Sequence, residues 1–438
     1  YNRIAYRRAF AVSLSFYGNM SFFFRTFLLL GLILALDWYF FHAISHSIRA
    51  LSPAKRSIIT WSYWTVTVLT IMLLLLPLAY PYQYWSQFVR VYVVSFVLIL
   101  GISKLVGSMF LLVDDLVRIG EWAWLKITAW RGAPHLAHGL PPITRKQFLT
   151  NLALVAAALP FSSFLYGMVR GAFNYKVHKV KIRIPHLPPS FEGFKIVQLS
   201  DIHIGSFVST EPLEKAFELA NAQKPDVIFF TGDLVNNLSS EIDPHLETLK
   251  KLNAPLGVFS TIGNHDYGDY VQWESKEAKQ ANFERLKRLH GEVGWNLLMN
   301  EHHLVERDGE HLAIIGIENW GAAMNFPKRG DLPKAHNGTE KAKVKLLLSH
   351  DPSHWEAQVR REFPDVDVTF SGHTHGAQFG VEIPGFRWSP VQYFYKQWAG
   401  LYQQGKQYLY VNRGLGFLGY PGRVGISPEI TVVELSRA

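Results

Sequence analysis

Residues 194–205 read FKIVQLSDIHIG, and this stretch decides the fold of the C-terminal part of the chain. The apolar run Phe194–Leu199 is typical of a strand buried on both faces, and Asp201-Ile202-His203 follows it directly. The pattern returns in residues 225–233, PDVIFFTGD, where an apolar run leads into Gly232-Asp233. Parallel strands end at one edge of a sheet, where open α/β folds place their ligand sites. The two segments therefore predict a parallel sheet whose edge carries carboxylates and an imidazole.

Three further strand-like runs end in polar residues of the same kinds. The runs Val258–Ile262, Val344–Leu348 and Val366–Phe370 precede, in this order, the motifs Gly263-Asn264-His265-Asp266, His350, and Gly372-His373-Thr374-His375-Gly376. A lone Asp-x-His is usually a surface pair, and a lone His-x-His is more often a strand that alternates its faces. Five motifs of this chemistry, each at the end of a strand, instead predict one shared metal site.

The ligand types favour a pair of transition-metal ions. Mixed carboxylate, amide and imidazole groups suit Mn, Fe or Zn, whereas Mg or Ca would favour a cage of oxygen ligands. Two such ions about 3.5 to 4 Å apart stabilise both the attacking and the leaving oxygens of a displacement at phosphorus, and coordination lowers the pKa of a water to roughly 7. A carboxylate shared between the ions allows that short separation. The motifs therefore predict a hydrolase with two divalent metal ions.

With these motifs, the chain resembles the calcineurin-like metallophosphoesterases, in particular their bacterial, membrane-anchored branch. The resemblance extends from about Val180 to the C-terminus and includes Asn412–Gly416 and Pro428–Val432. It implies an α/β fold, a four-layer sandwich in which helices flank two mixed sheets. Ala377 stands where many members have a glycine, and Asn236-Asn237 stands where a carboxylate is common. These departures affect the expected substrate preference more than the chemistry.

The resemblance also implies a role for each motif residue. One metal ion would be held by Asp201, His203 and His375, the other by Asn264, His350 and His373, and Asp233 would bridge them. His265 would be the catalytic histidine, which protonates or polarises the leaving oxygen. Asp266 would orient His265 through the other ring nitrogen. The implied enzyme is a metal-dependent phosphoric ester hydrolase, a phosphodiesterase or a phosphatase.

The first 170 residues are a different kind of polypeptide. Four mostly apolar runs of about 20 residues, each long enough to cross a hydrocarbon core of about 30 Å, are Phe22–Phe41, Ile59–Tyr80, Val91–Leu112 and Phe148–Met168. Trp and Tyr residues at their ends favour membrane interfaces over the alternative of buried core helices. We therefore expect an all-α bundle of four transmembrane helices in residues 1–170, a linker in residues 171–190 and the catalytic domain in residues 191–438.

Charge divides near the same boundary. Residues 1–183 contain 19 Lys and Arg against four acidic residues, and residues 184–438 contain 25 against 31. The formal net charge of +9 therefore comes from the membrane part. A nucleic-acid-binding protein would carry its basic surface on the catalytic domain, so no nucleic acid is expected, and membrane lipids are the expected partners. The chain has no cysteine, which excludes thiolate metal sites and disulfides.

The distribution of positive charge favours an extracytoplasmic catalytic domain. The segment Pro81–Val89, between the second and third runs, has no charged residue, which is typical of an outer loop. The arginines of Arg3–Arg8 oppose this orientation, because they would then also lie outside. The segment Thr144–Leu149 supports it, because it resembles a twin-arginine export motif with Lys in the second place. We expect a multi-pass protein of the bacterial cytoplasmic (inner) membrane.

Several features outside the motifs allow two interpretations. Asp37 and Lys104 either form an ion pair inside the bundle or lie separately, with Lys104 reaching towards the interface. The aromatic residues of Phe386–Trp398 either enter the membrane interface and admit a lipid tail or pack in the core. The segment Glu274–His290 is typical of an exposed, charged helix. We expect six histidines outside the motifs at the surface or in loops, namely His135, His138, His186, His290, His302 and His303.

The sequence predicts a membrane-anchored binuclear phosphoesterase that hydrolyses a phosphodiester or pyrophosphate bond, with a lipid or lipid-linked molecule as the favoured substrate. One alternative is a nucleotide-lipid pyrophosphatase of the UDP-diacylglucosamine type, which a cytoplasmic domain would serve. Another is a non-catalytic membrane sensor or scaffold that retains the metals. The complete ligand set and the intact His265 argue against the second alternative.

Overall fold

The computed structural model describes residues 27–80, 85–130, 142–324 and 326–437. Arg3–Arg8, the first part of the uncharged Pro81–Val89 loop, and two of the outlying histidines, His135 and His138, lie outside these residues. The chain divides into two compact units, Tyr1–Leu165 and Tyr166–Ala438.

The first unit is helical. Its described helices are α1 (Phe27–Ser47), α2 (Pro53–Ala79), α3 (Val94–Trp130) and α4 (Pro142–Val169), the last of which continues into the second unit. A π-helical turn, Val89–Val93, leads into α3. Four described segments are long and apolar enough to cross a membrane, which confirms the four predicted spans. The beginning of the first predicted span, residues 22–26, lies outside the described residues. The third is longer than expected, because α3 continues well beyond Leu112.

Asp37 and Lys104 form an ion pair in this bundle. The Nζ atom of Lys104 lies 2.6 Å from Oδ1 of Asp37, and the hydroxyl of Thr67 donates to Oδ2. The ammonium group also lies 4.7 Å from the centre of the Tyr63 ring. Both charged side chains are largely shielded, and a charge at such a position needs a partner. The structure therefore agrees with the first of the two interpretations, an ion pair inside the bundle.

The second unit contains two six-stranded mixed sheets and a separate hairpin. In the described residues the strands are β1 (Lys176–Arg183), β2 (Lys195–Leu199), β3 (Val227–Phe230), β4 (Val258–Ser260), β5 (Trp295–Leu297), β6 (Glu301–Arg307), β7 (Glu310–Gly316), β8 (Val344–Leu348), β9 (Val368–Ser371), β10 (Val381–Ile383), β11 (Phe386–Trp388), β12 (Gly400–Gln404), β13 (Gln407–Val411) and β14 (Glu429–Ser436). The first sheet has the order β1-β14-β2-β3-β4-β5, and the second has the order β12-β13-β9-β8-β7-β6.

The described helices of this unit are α5 (Glu211–Asn221), α6 (Leu246–Leu249), α7 (Lys276–Glu292), α8 (Leu332–His336) and α9 (Arg360–Glu362). The layer between the sheets is apolar, with Phe229 and Phe370 in edge-to-face contact at 5.1 Å. Helices cover the outer faces, where Phe217 of α5 and Trp355 before α9 belong to separate buried clusters. This arrangement confirms the predicted four-layer α/β sandwich.

Part of the expected linker belongs to the folded domain. Strand β1 lies inside residues 171–190 and pairs in parallel with β14 along its whole length, from Lys176 opposite Glu429 to Arg183 opposite Ser436. Ile182 is completely buried between the sheets. The folded domain therefore begins before residue 191, because its last strand holds this segment by hydrogen bonds.

Helix α7 begins and ends two residues later than the expected charged helix, Glu274–His290, and one of its sides is buried. Leu286, Leu289 and His290 are buried where the helix packs on the first sheet. His290 has no exposed surface, and its Nδ1 atom lies 2.9 Å from the hydroxyl oxygen of Ser260. The expectation that His290 lies at the surface was wrong, because it sits on the apolar side of an otherwise polar helix.

The strand order brings the motifs to one edge of each sheet. Strands β2, β3 and β4 are parallel neighbours, and Asp201, Asp233 and Asn264 follow them. Strands β8 and β9 are parallel neighbours in the second sheet, and His350 and His373 follow them. The carboxyl ends of parallel strands meet at one edge, so each sheet contributes its part of the site.

Candidate metal centre

Five of the expected ligands have left-handed backbone conformations. The φ angles are 51° for Asp201, 48° for His203, 57° for Asp233, 71° for His373 and 50° for His375. A residue other than glycine in this region costs of order 1–3 kcal/mol, and such residues are concentrated at functional sites. Backbone hydrogen bonds between the loops hold this geometry, as in the 2.9 Å contact from the Asp201 N–H to the Gly232 carbonyl.

The first group of ligands is formed by Asp201, His203 and His375, all of them buried. The Nε2 atoms of the two histidines lie only 3.0 Å apart. The Nε2 atom of His375 also lies 3.3 Å from Oδ1 of Asp201. The ligand atoms of these three residues lie within 4.8 Å of one another.

The second group is formed by Asp233, His350 and His373. The Nε2 atom of His350 lies 3.1 Å from Oδ2 of Asp233 and 3.2 Å from Nδ1 of His373. Asn264 joins this group, since its Oδ1 atom is 3.2 Å from the same Nε2 atom. The amide of Asn264 is oriented by its Nδ2–H, which donates to the hydroxyl of Tyr270 at 2.8 Å.

Asp233 contacts both groups. Its Oδ2 atom lies 3.1 Å from Nε2 of His350 and 3.6 Å from Nε2 of His203. The other oxygen, Oδ1, accepts the backbone N–H of His265 at 2.8 Å. The structure therefore brings together every residue that the sequence suggested as a metal ligand, and it places Asp233 between the two groups.

The electrostatics of the site favour cations. Burial alone raises the pKa of Asp233, but His350 and His265 outweigh it and hold that pKa well below its ordinary value. Burial lowers the pKa of His350, yet the Asp233 carboxylate outweighs burial and raises it to about 10. Burial lowers the pKa of His203 well below its ordinary value, so this imidazole stays neutral with a lone pair to offer. The buried carboxylates thus attract a positive charge, either a proton or a metal ion.

The residues present fit divalent metal ions. Two buried imidazole nitrogens at 3.0 Å share at most one proton between them, whereas a cation between ligands accepts a lone pair from each. Carboxylate oxygens, one amide oxygen and imidazole nitrogens form a donor set that suits Mn, Fe or Zn.

His265 lies beside the two groups with its ring fixed. Its Nδ1 atom is 2.8 Å from the carbonyl oxygen of Asn236, which can only accept, so Nδ1 carries a proton. Its ring stands edge-on to His203, with the ring centres 4.9 Å apart. This tautomer leaves Nε2 as the nitrogen that can exchange a proton with a ligand.

The structure corrects the expected role of Asp266. This residue does not hold the ring of His265, whose Nδ1 atom contacts Asn236 instead. The Asp266 carboxylate accepts backbone N–H groups from Gly263, Asp233, Leu234 and Val235 at 2.8 to 3.2 Å. It therefore fixes the loop that carries Asp233 to the loop that carries His265. Burial, followed by the charge of Asp233, raises the pKa of Asp266 to about 7.

Tyr395 and Asp351 are functional candidates that the sequence reasoning missed. The hydroxyl oxygen of Tyr395 lies 2.8 Å from Nε2 of His373 and 3.4 Å from Oδ2 of Asp351. If Nδ1 of His373 is a metal ligand, Nε2 carries the proton and donates a hydrogen bond to the Tyr395 hydroxyl. The Tyr395 hydroxyl in turn donates a hydrogen bond to Asp351. The position of Asp351 directly after His350 was the only sequence signal, and Tyr395 gave none beyond its place in an aromatic segment.

Some aromatic residues of Phe386–Trp398 pack in the core, and others are exposed. Tyr395 and Trp398 are buried in a small cluster with Ala399 and Ile426. Phe386, Tyr393 and Phe394 are instead exposed by 54%, 73% and 65%. The exposed aromatic residues thus follow the His-x-His motif in sequence, the first of them 11 residues after His375.

Known families match both parts of the chain. Residues 20–172 match the family described as probable calcineurin-like phosphoesterase, transmembrane domain. Residues 194–377 match the family described as calcineurin-like phosphoesterase.

Individual proteins described as metallophosphoesterases or pyrophosphatases are also similar to this chain. The uncharacterized metallophosphoesterase YkuE of Bacillus subtilis (strain 168) is 31% identical over 300 residues, which cover 67% of this chain and 98% of that protein. A transmembrane protein with metallophosphoesterase domain from Danio rerio is 33% identical over 298 residues, covering 66% of this chain. The match spans 63% of the Danio rerio protein, less than two thirds of its length. The UDP-2,3-diacylglucosamine pyrophosphatase LpxG of Chlamydia muridarum is 27% identical over 281 residues, covering 55% of this chain and 83% of LpxG.

Proposed function

This chain belongs to the calcineurin-like metallophosphoesterase family, and we propose that it is a membrane-anchored enzyme that hydrolyses a phosphodiester or pyrophosphate bond in a lipid or lipid-linked substrate. We propose two divalent ions per chain, Mn, Fe or Zn, held by the residues predicted from the motifs. The observation that carries this proposal is the position of Asp233, whose Oδ2 atom lies 3.1 Å from His350 and 3.6 Å from His203.

Each side chain of the site has a task in this proposal. Bound ions supply Lewis acidity at a phosphoryl oxygen and lower the pKa of a water. The Asn236 carbonyl keeps the proton of His265 on Nδ1, so the Nε2 atom delivers a second proton to the leaving oxygen. Asp266 holds the two loops together through backbone N–H groups, and Tyr395 fixes the tautomer of His373. Good alignment of these groups lowers the barrier by removing the need to order them during the reaction.

Three observations support a lipid as the substrate. The described residues include four segments able to cross a membrane, and six residues separate the end of α4 at Val169 from the start of β1 at Lys176. Exposed aromatic side chains follow the His-x-His motif. One relative, LpxG, bears a name that states hydrolysis of a nucleotide-linked lipid. That name also supports the second candidate, a pyrophosphatase acting on a UDP-diacylglucosamine-type precursor.

A screen of membrane lipids tests the substrate. The purified full chain is incubated with a total lipid extract in the presence of Mn and, separately, of Zn, and phosphorus-containing products are identified. Asp233→Ala serves as the inactive control, and a soluble nitrophenyl phosphodiester serves as the reference substrate. We expect metal-dependent loss of at least one lipid with wild type alone. Turnover of the soluble diester without change in any lipid would refute the lipid proposal, and inactivity on both would favour the sensor or scaffold.

Membrane orientation distinguishes the two substrate candidates. We propose that the protein lies in the bacterial cytoplasmic membrane with its catalytic domain on the extracytoplasmic side, on the basis of the uncharged Pro81–Val89 loop and the motif at Thr144–Leu149. A reporter fused to the C-terminus should then behave as exported. A cytoplasmic reporter would overturn this orientation and favour the nucleotide-lipid precursor, because nucleotide-linked substrates are available on that side.

A further inference from the structure

The hairpin formed by β10 and β11 projects from the catalytic domain. In the described part of the chain these strands pair only with each other, and every residue of Val381–Arg387 is exposed. A two-stranded hairpin is at best marginally stable in water unless it packs against another surface. One face of this hairpin is attached to the domain, whereas Ile383 and Phe386 on the other face are exposed.

The two faces of the hairpin differ in polarity. In an antiparallel pair, directly opposite residues share a face, and successive residues alternate. Val381 lies opposite Trp388, and Ile383 lies opposite Phe386, so these residues form an apolar face. Glu382 lies opposite Arg387 and occupies the other face.

The polar face is the one attached to the domain. Glu382 accepts a hydrogen bond from the buried guanidinium of Arg413. The Nη1 atom of Arg387 donates to the carbonyl of Ala399 at 2.6 Å, and its guanidinium lies 5.0 Å from the centre of the Trp398 ring. These contacts leave the apolar face open, with Ile383 exposed by 59% and Phe386 by 54%.

The apolar face contacts a second exposed aromatic segment through Trp388, whose Nε1–H donates to the hydroxyl of Tyr393 at 3.4 Å. Tyr393 and Phe394, five and six residues after Trp388, are exposed by 73% and 65%. Lys396 follows them and is also exposed. Aromatic side chains with a nearby cation are typical of segments at a membrane interface, where rings sit at headgroup level and lysine meets anionic lipids.

We propose that the apolar face of the β10–β11 hairpin, with Tyr393 and Phe394, inserts into the bilayer interface and places the metal site at the level of the lipid headgroups. The membrane is the partner because the described part of the same chain includes four segments that can cross it. The hairpin is coupled to the ligand loop, since the hydroxyl of Ser389 donates to the carbonyl of Gly376, next to His375, at 2.8 Å. The link to catalysis rests on the proposed lipid substrate, whereas insertion itself does not.

The absence of cysteine makes a positional test direct. Ile383→Cys and Phe386→Cys, each the single cysteine of the full chain, are spin-labelled and studied in nanodiscs that contain anionic phospholipid. Collision rates are measured with oxygen, which concentrates in the bilayer, and with a water-soluble nickel complex. Glu306→Cys is the matched control, because Glu306 is an exposed residue of another hairpin, β6–β7, whose turn lies at the sheet edge opposite the metal site.

We expect a ratio of oxygen to nickel collisions several-fold higher at both hairpin positions than at Glu306. Equal ratios at the three positions would overturn the proposal. Labels shielded from both reagents would also overturn it, since another protein or a second copy of the chain would then cover the face. Two positions on different strands guard against a local effect of one substitution.

The activity readout is kept separate from this test. Ile383→Ser combined with Phe386→Ser should raise the Michaelis constant for a lipid substrate and leave turnover of a soluble phosphodiester unchanged. Insertion in the nanodisc experiment without turnover of any lipid would refute the proposed substrate while supporting the inserted hairpin. Lipid turnover by a chain whose hairpin labels are exposed to water would support the proposed substrate and refute the inserted hairpin.

Discussion

Tyr395→Phe removes the hydroxyl group that contacts His373, and it should weaken the binding of one metal ion and not of the other. The hydroxyl lies 2.8 Å from Nε2 of His373, which belongs to the second ligand group, and it has no contact in the first group. Burial, followed by the charge of Asp351, raises the pKa of Tyr395, so the group acts as a neutral hydroxyl. The phenylalanine ring keeps the packing against Trp398 and Ile426.

The size of the effect follows from the neighbouring atoms. Loss of such a supporting partner costs about 10- to 100-fold in metal affinity, or about 1.4 to 2.8 kcal/mol. Oδ2 of Asp351 already lies 3.7 Å from Nε2 of His373, and it can accept part of the lost hydrogen bond after a small movement. We therefore expect a loss near the lower limit, about tenfold.

Calorimetric titration of the metal-stripped full chain with Mn or Zn measures this loss. Tyr393→Phe is the control, because it makes the same substitution two residues away on a side chain that is 73% exposed. We expect one of two binding steps to weaken in Tyr395→Phe and neither to change in Tyr393→Phe. Unchanged affinity in both variants, or an equal loss at both steps, would refute the support of His373 by Tyr395.

Two further predictions concern histidines with different tasks. His265→Ala should retain the metal ions and lose a factor on the order of 10² to 10⁴ in turnover of a substrate with a poor leaving group, but less with a nitrophenolate; equal losses for both substrates would remove His265 from the acid role. Burial lowers the pKa of His290 from 6.5 to about 4, so the unfolded chain binds a proton that the folded chain does not. The contribution of His290 to stability should therefore be constant above about pH 6.5 and fall by about 3 kcal/mol between about pH 6.5 and pH 4. His290→Gln should reduce that slope in pulse proteolysis of the full chain, and an unchanged slope would argue against a neutral buried His290.

The convergence of the motif residues was predictable from the sequence because each follows an apolar run directly. Buried parallel strands leave their next residues at one edge, whatever the length of the intervening helices. Asp233 and Asn264 follow neighbouring strands of one sheet, and His350 and His373 follow neighbouring strands of the other. Local pattern and strand direction were sufficient here.

Residues whose role depends on a distant partner were not predictable in the same way. Asp266 was expected to contact its sequence neighbour His265, but its carboxylate binds the backbone of residues 233–235, which only the strand order brings near. Tyr395 reaches His373 through a turn that has no periodic pattern. Strand β1 lies in the segment expected to be a linker, and nothing local indicated that it would pair with β14, which is far away in sequence.

The end of helix α3 was also not predictable from hydropathy. An apolar run predicts the part of a helix that crosses a membrane, and this run ends at Leu112. Asp114 and Asp115 then interrupt the hydrophobicity, but the helix continues to Trp130. Acidic residues are compatible with helical backbone outside the hydrocarbon core, so hydropathy marks the span and not the end of the helix.

Metal content tests the central claim, a site with two ions joined by Asp233, most directly. Purified full chain, Asp233→Ala and Asn264→Ala are compared by elemental analysis after loading with Mn or Zn. We expect two ions per chain in wild type, loss of both in Asp233→Ala because each ion depends on that carboxylate, and loss chiefly of one in Asn264→Ala. Two ions per chain in Asp233→Ala would contradict the shared ligand and with it the proposed binuclear centre.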